Sequence, residues 1–138
     1  MRRLLTLLAL LTVLLLAGCA SDRRNQALTT TLNAYASTVR WGDFNKAQDF
    51  VDPKVREAHP ISSLEMGRLQ QYKVSGYDEG NGPVPNGKFE VRQTVQIGLV
   101  NQNTQSERTV TDHQVWRYDE AAKHWYLESG LPEIGSQP

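Results

Sequence analysis

The stretch Phe89-Glu90-Val91-Arg92-Gln93-Thr94-Val95-Gln96-Ile97-Gly98-Leu99 decides the fold of this 138-residue chain. Apolar side chains recur at positions 89, 91, 95, 97 and 99, and polar side chains fill positions 90, 92, 94 and 96. Because successive side chains of a β-strand point to opposite faces of the sheet, this alternation predicts a strand with one buried and one solvated face.

Three further strands are predicted around this one. A strand over 69–77 precedes it, across an exposed loop at 79–87 that is dense in glycine and proline. Strands over 107–118 and 124–128 follow it, joined by a hairpin turn at 119–123. The second half of the chain therefore predicts an antiparallel meander of about four strands.

Helices are predicted before the first strand. Apolar side chains at 28, 32, 35 and 39 share one face of a helix over 25–41, which Gly42 ends. Shorter helical segments begin at the capping residues Asp43, Asp52 and Ser62, the last in a capping box with Glu65. Helices followed by a run of strands indicate the α+β class.

The first eighteen residues predict an export signal. Met1-Arg2-Arg3 is cationic, residues 4–16 are apolar apart from two threonines, and Ala17-Gly18 is small, which is the pattern of a secretory signal peptide. The apolar run is shorter than the roughly 20 residues that span a bilayer. A short N-terminal anchor helix is the alternative interpretation.

The end of this segment, Leu16-Ala17-Gly18-Cys19, resembles the lipobox of bacterial lipoproteins. The resemblance implies cleavage between Gly18 and Cys19, a diacylglycerol on the Cys19 sulfur and acylation of the new amine. Two or three acyl chains hold a protein at a membrane, whereas one chain binds only marginally. The alternative is a small apolar cysteine inside a leader.

The residues after the cysteine bear on which membrane carries the protein. In bacteria with two membranes, an aspartate directly after the lipobox cysteine marks retention in the inner membrane, and Asp22 comes two residues too late for that. The resemblance therefore implies the periplasmic face of the outer membrane. The alternatives are the periplasmic face of the inner membrane or a Gram-positive cell surface.

These features divide the chain into four predicted segments: a signal peptide at 1–18, a lipidated tether at 19–25, one α+β domain at 26–130 and a loose tail at 131–138. Cys19 is the only cysteine, so no internal disulfide is possible. The chain is neutral and becomes slightly acidic without Arg2 and Arg3. Its cations are spread along the sequence, which excludes a nucleic-acid partner and leaves strong attraction to anionic lipid unsupported.

The order of elements resembles the nuclear-transport-factor-2-like superfamily, also called ketosteroid-isomerase-like or cystatin-like. The long helix, the break at Gly42-Asp43 and the final hairpin with Trp116 and Trp125 carry this resemblance. It implies a cone, in which a curved sheet wraps around helices and leaves a pocket at the wide end. It also implies frequent dimerisation through the exposed sheet face. Because this fold hosts enzymes as well as binding domains, it does not decide the function.

Few residue patterns point to chemistry. The three histidines lie in separate elements and Asp112-His113 point to opposite faces, so no metal site is predicted. No cofactor motif and no catalytic residue is predicted either. The candidates to line a pocket in the cone are Tyr35, Tyr72, Glu90, Asp112 and His113. The alternative is that the tyrosines are core aromatics and that Glu90, beside Arg92, is solvated.

We therefore predict a membrane-anchored, non-catalytic lipoprotein whose domain binds a protein partner or a second copy of itself. The alternative is a pocket that binds or isomerises a small apolar molecule. A carboxylate buried among apolar side chains would favour that alternative, and a pocket filled by aromatic side chains would oppose it.

Overall fold

The computed structural model describes residues 1–134. The side chains of residues 2–5 and 7–17, which include Leu16 and Ala17 of the lipobox, lie outside the described part, as do residues 135–138 of the predicted tail. Among the described residues, no helix has both the length and the apolar character needed to cross a bilayer.

The helices all precede the sheet, as predicted. They are α1 (Arg2–Arg40), α2 (Phe44–Ala47), a 3₁₀ turn (Gln48–Phe50), α3 (Pro53–Ala58) and α4 (Ser63–Leu69). The three predicted caps are confirmed, because Asp43 accepts from the Lys46 N–H, Asp52 accepts from the Lys54 N–H, and Ser62 forms the capping box with Glu65. Gly42 ends α1 with a φ of 71°, a conformation that glycine adopts without strain.

The strands form one antiparallel sheet. They are β1 (Tyr72–Asp78), β2 (Val84–Pro85), β3 (Glu90–Asn101), β4 (Glu107–Asp119) and β5 (His124–Leu127). The order is β1-β3-β4-β5, and the two residues of β2 pair with β3 inside the predicted loop. The sheet curls into a half-barrel, so the predicted α+β fold is confirmed.

The core lies between α1 and the inner face of the sheet. Val91, Val95, Ile97 and Leu99 of β3 are buried, as their alternation predicts, and the helical side chains Leu32, Tyr35 and Val39 are buried with them. Burying one such aliphatic side chain contributes on the order of 1.5–3 kcal/mol. This packing holds α1 across the hollow of the sheet.

The start of the domain differs from the prediction. Residues 19–25, predicted as a tether, are helical and continuous with the rest of α1, since no glycine or proline interrupts this segment. The Trp125 Nε1–H donates to the Arg24 carbonyl at 3.0 Å, which joins this part of α1 to the sheet. Through Arg24, α1 is therefore held against the sheet close to Cys19.

The end of the domain also differs from the prediction. Residues 131–134, assigned to a loose tail, are packed: the side chain of Ile134 is 1% exposed and Leu131 is half-buried against the core. The Arg108 guanidinium donates to the Ile134 carbonyl. The apolar side chains at 131 and 134 explain why this segment packs. The prolines at 132 and 138 had instead favoured the prediction of a loose tail.

Candidate functional site

The centre of the half-barrel is filled by aromatic side chains. Tyr35 is fully buried, with its ring 5.2 Å from that of Trp116 and 5.5 Å from that of Phe50, both in edge-on contacts. Such edge-to-face pairs are a favourable arrangement of rings in a core. The predicted pocket residue Tyr35 therefore fills part of the interior of the half-barrel.

Two of the other predicted pocket residues lie on the outer face of the sheet. Glu90 pairs across the strands with Arg117, and its carboxylate binds Arg92 at 2.9 Å and Arg117 at 3.1 Å. The hydrogen bond from Asn86 is the largest of the effects that lower the pKa of Glu90, and the two arginines lower this pKa further. His113 is exposed, with its Nδ1 atom 3.3 Å from the Thr94 hydroxyl. Strand alternation, readable in the sequence, turns both side chains away from the interior.

Tyr72, another of the five predicted pocket residues, is half-buried at the start of β1. The Arg108 guanidinium lies 4.9 Å from its ring centre. Hydrogen bonds to Asn101 and then Arg108 lower the pKa of the Tyr72 hydroxyl. The structure therefore does not bring Tyr35, Tyr72, Glu90 and His113 together into one site.

A buried polar cluster lies on the inner face of the sheet and consists of Asp112, Gln114, Trp116 and Tyr77. The Gln114 amide donates to Asp112 at 2.8 Å and to the Tyr77 hydroxyl at 3.0 Å, and its oxygen accepts from the Trp116 Nε1–H at 3.1 Å. Gln114 is therefore the hub of the cluster. Its position on the same strand face as the apolar Val110 and Trp116 was the signal in the sequence.

Burial sets the acid–base properties of this cluster. It raises the pKa of Asp112 to about 6, with Gln114 and His113 opposing the effect, and it raises the pKa of Tyr77 to about 12. Burial and the nearby Asp112 charge raise the pKa of Tyr35 well above its usual value. The tyrosines stay neutral at neutral pH, whereas Asp112 titrates within the range in which a proton-transfer group works.

An open groove lies between α3, α4 and residues 128–134 and encloses about 960 Å³. This volume is at the upper end of the roughly 300–1,000 Å³ that is usual for ligand sites. Its larger aliphatic lining residues are Val51, Val55, Ile61, Leu69, Leu131 and Ile134. None of the five predicted pocket residues lines this groove, because its walls come from segments that no periodic pattern in the sequence connects.

The charged side chains of the groove are not equally available to a partner. Glu65 accepts hydrogen bonds from the Ser62 backbone N–H and hydroxyl, Glu128 pairs with Arg117 at 3.0 Å, and Glu133 also interacts within the chain. Arg68 is exposed, and Arg56 makes only a loose 3.8 Å contact with an exposed aspartate. The rim therefore offers its guanidinium groups more readily than its carboxylates.

Metal ligation has no candidate set in the described part of the chain, where no three His, Cys, Asp or Glu side chains gather closely enough to hold an ion. No family model, curated protein or solved structure matches this chain. Function is therefore inferred from its residues and their geometry.

Proposed function

We propose that this protein is a lipoprotein of the bacterial envelope that binds a partner protein in the groove without catalysing a reaction. The observation that carries the proposal is the 960 Å³ groove with its apolar lining, in a domain whose interior is filled by Tyr35 and Trp116. The lipobox resemblance at residues 16–19 supports attachment through Cys19 to the periplasmic face of the outer membrane.

The position of the groove relative to the predicted lipid supports this function. Arg24 of α1 lies next to Trp125 of β5 and next to Tyr118, which is near the end of β4. One wall of the groove, residues 128–134, runs antiparallel to β4 and away from Tyr118. It begins at Glu128, whose N–H donates to the Val115 carbonyl, and ends at Ile134, whose carbonyl accepts from the Arg108 guanidinium. At about 3.3 Å per residue, ten residues of β4 separate Tyr118 from Arg108 by roughly 33 Å along the strand. The groove thus extends away from the anchor.

The lining of the groove indicates the chemistry of the partner. Apolar side chains on the floor suit the side chains of an inserted segment, and the guanidinium groups of Arg56 and Arg68 suit carboxylates beside it. We therefore expect a partner segment that carries both apolar and acidic residues.

Photo-crosslinking in cells tests this function. A photoreactive residue replaces the exposed groove residue Ala58, and the control replaces the exposed Thr109 on β4. We expect a discrete adduct from position 58 that disappears when Arg68→Glu and Val55→Asp are added. No adduct from position 58, or an adduct that survives these substitutions, would contradict binding in the groove. A dimer of this chain at position 109 would instead indicate self-association through the outer sheet face.

The buried carboxyl of Asp112 favours the second candidate, which is a pocket that binds or isomerises a small apolar molecule. A carboxyl with a pKa near neutrality is what general acid–base catalysis requires. Its hydrogen bond to Gln114 and the aromatic side chains beside the cluster occupy the space around it. Recovery of an apolar molecule from the native protein, lost in Asp112→Asn, would support this second candidate over the first.

A further inference from the structure

Two cations and two aromatic rings form a patch at the end of the domain nearest Cys19. This anchor-end patch consists of Arg24, Lys88, Phe89 and Tyr118. The Arg24 guanidinium lies 5.3 Å from the ring centre of Phe89 and 5.9 Å from that of Tyr118, and the Lys88 ammonium lies 4.9 Å from the Phe89 ring centre. The two rings are stacked with their centres 6.3 Å apart.

The fold creates this patch from residues that are far apart in the sequence. Arg24 lies on α1, Lys88 and Phe89 precede β3, and Tyr118 is near the end of β4. The cations are spread along the chain, yet the fold places two of them on one pair of rings. The structure therefore makes a local cationic and aromatic surface that composition does not indicate.

The charges of the patch are available to a partner. Among the described residues, neither Arg24 nor Lys88 forms an ion pair. Two of the neighbouring carboxylates are engaged elsewhere: Glu90 binds Arg92 and Arg117, and Asp119 accepts from two backbone N–H groups of its own turn. The side chain of Glu120, in the same turn, is exposed. An anionic surface would thus meet two cations without displacing an internal salt bridge.

We propose that the anchor-end patch rests on phospholipid headgroups, with Arg24 and Lys88 facing phosphates and the two rings at the level of the interface. The proposal rests on the proposed lipid at Cys19. Because α1 is continuous, the five residues from Cys19 to Arg24 rise only about 7.5 Å. The lipid therefore brings the patch close to the headgroups, where cations, the amphipathic ring of a tyrosine and the apolar ring of a phenylalanine are favoured.

This contact would orient the whole domain. A lipid on a flexible tether leaves the domain free to tumble, whereas a helix plus a surface contact defines which end faces the membrane. The turn between β3 and β4 and the far end of the groove would then point away from the bilayer. A partner could reach the groove without competing with lipid.

Fluorescence quenching of the full-length, lipidated protein in vesicles tests this orientation. Because the native cysteine would carry the lipid, one new cysteine accepts a thiol-reactive dye, either Glu120→Cys beside the patch or Asn103→Cys in the opposite turn. The vesicles contain phosphatidylethanolamine, phosphatidylglycerol and a headgroup-labelled quencher lipid. We expect the dye at 120 to be quenched several-fold more than the dye at 103.

Charge-reversal variants decide whether the patch causes the orientation. We expect Lys88→Glu to remove most of the difference in quenching between the two dye positions, while Lys73→Glu, at an exposed lysine of β1, leaves it unchanged. Equal quenching at 103 and 120, or a difference that survives Lys88→Glu, would overturn the patch proposal.

Flotation with the vesicles separates the two proposals. A protein that floats but is quenched equally at both positions contradicts the patch alone. A protein that does not float and lacks the mass of a lipid contradicts the anchor as well, and with it the patch.

Discussion

Asp112 lies on the inner face of β4, opposite Val95 in the pairing of β4 with β3. Its folded-state pKa of about 6 lies above the value of 3.8 expected in the unfolded chain. Between these pH values the folded state binds more protons, so the free energy of unfolding decreases as the pH rises. Below pH 3.8 the burial of Asp112 does not lower the free energy of unfolding through its titration. Above pH 6 it lowers the free energy of unfolding by about 3 kcal/mol.

The first prediction concerns Asp112→Asn. The substitution removes the titration but keeps an acceptor for the Gln114 amide, so we expect the decrease in stability between pH 4 and pH 6 to disappear. At pH 7.5 the variant should be as stable as the native protein or more stable. Urea unfolding across this pH range measures both effects. An unchanged pH dependence would show that Asp112 is not buried as described.

The second prediction concerns the hub of the same cluster. Gln114→Leu leaves the Asp112 carboxylate, the Trp116 Nε1–H and the Tyr77 hydroxyl without their shared partner. Since each unsatisfied buried polar group costs about 1–3 kcal/mol, we expect a loss of at least about 2 kcal/mol. The control is Gln96→Leu on the exposed face of β3, which should cost less than about 1 kcal/mol. Equal losses in the two variants would contradict a special role for Gln114.

At the scale of elements, helix starts follow from local chemistry. The Ser62 hydroxyl accepts from the Glu65 N–H at 3.2 Å, and the Glu65 carboxylate accepts from the Ser62 N–H at 2.8 Å. The third prediction is that Ser62→Ala lowers the free energy of unfolding by about 1 kcal/mol. The matched control is the neighbouring Ser63→Ala, which lies inside α4 and should change it little. Urea midpoints of both variants measure the difference, and similar values would argue against the cap.

Local rules explain which elements could be predicted from the sequence. The caps of α2, α3 and α4 and the alternation along β3 and β4 each depend on a few neighbouring residues, so the sequence alone predicts them. The end of α4 at Leu69, where a strand was predicted to begin, depends on packing, because Leu69 is buried among the helices and the sheet rather than on a strand face.

The candidate sites were harder to predict because they are assembled from distant segments. Asp112 was among the residues expected to face the interior, and it does. Glu90 and His113 instead lie on the same face of their strands as the exposed polar residues around them. The groove combines α3, α4 and residues 128–134, and no pattern within any one of these segments indicates the others. The packing of Ile134, which lies at its edge, was missed for the same reason.

At the scale of the whole molecule, the chain combines a proposed lipid anchor, a filled half-barrel and an open groove. The helix that begins before Cys19 continues into the core, so a lipid at that residue would be attached to a rigid element rather than to a loose chain. The partner site and the membrane contact then lie at different ends of the domain. The proposed attachment of this domain to a membrane depends on a lipid at Cys19.

Intact-mass measurement of the protein purified from bacterial membranes tests that claim most directly, with Cys19→Ala as the control. We predict a chain that begins at Cys19 and carries a diacylglycerol on its sulfur, and a control that carries no lipid and keeps its leader. A native chain that still begins at Met1, or one with an unmodified thiol at position 19, would contradict the account.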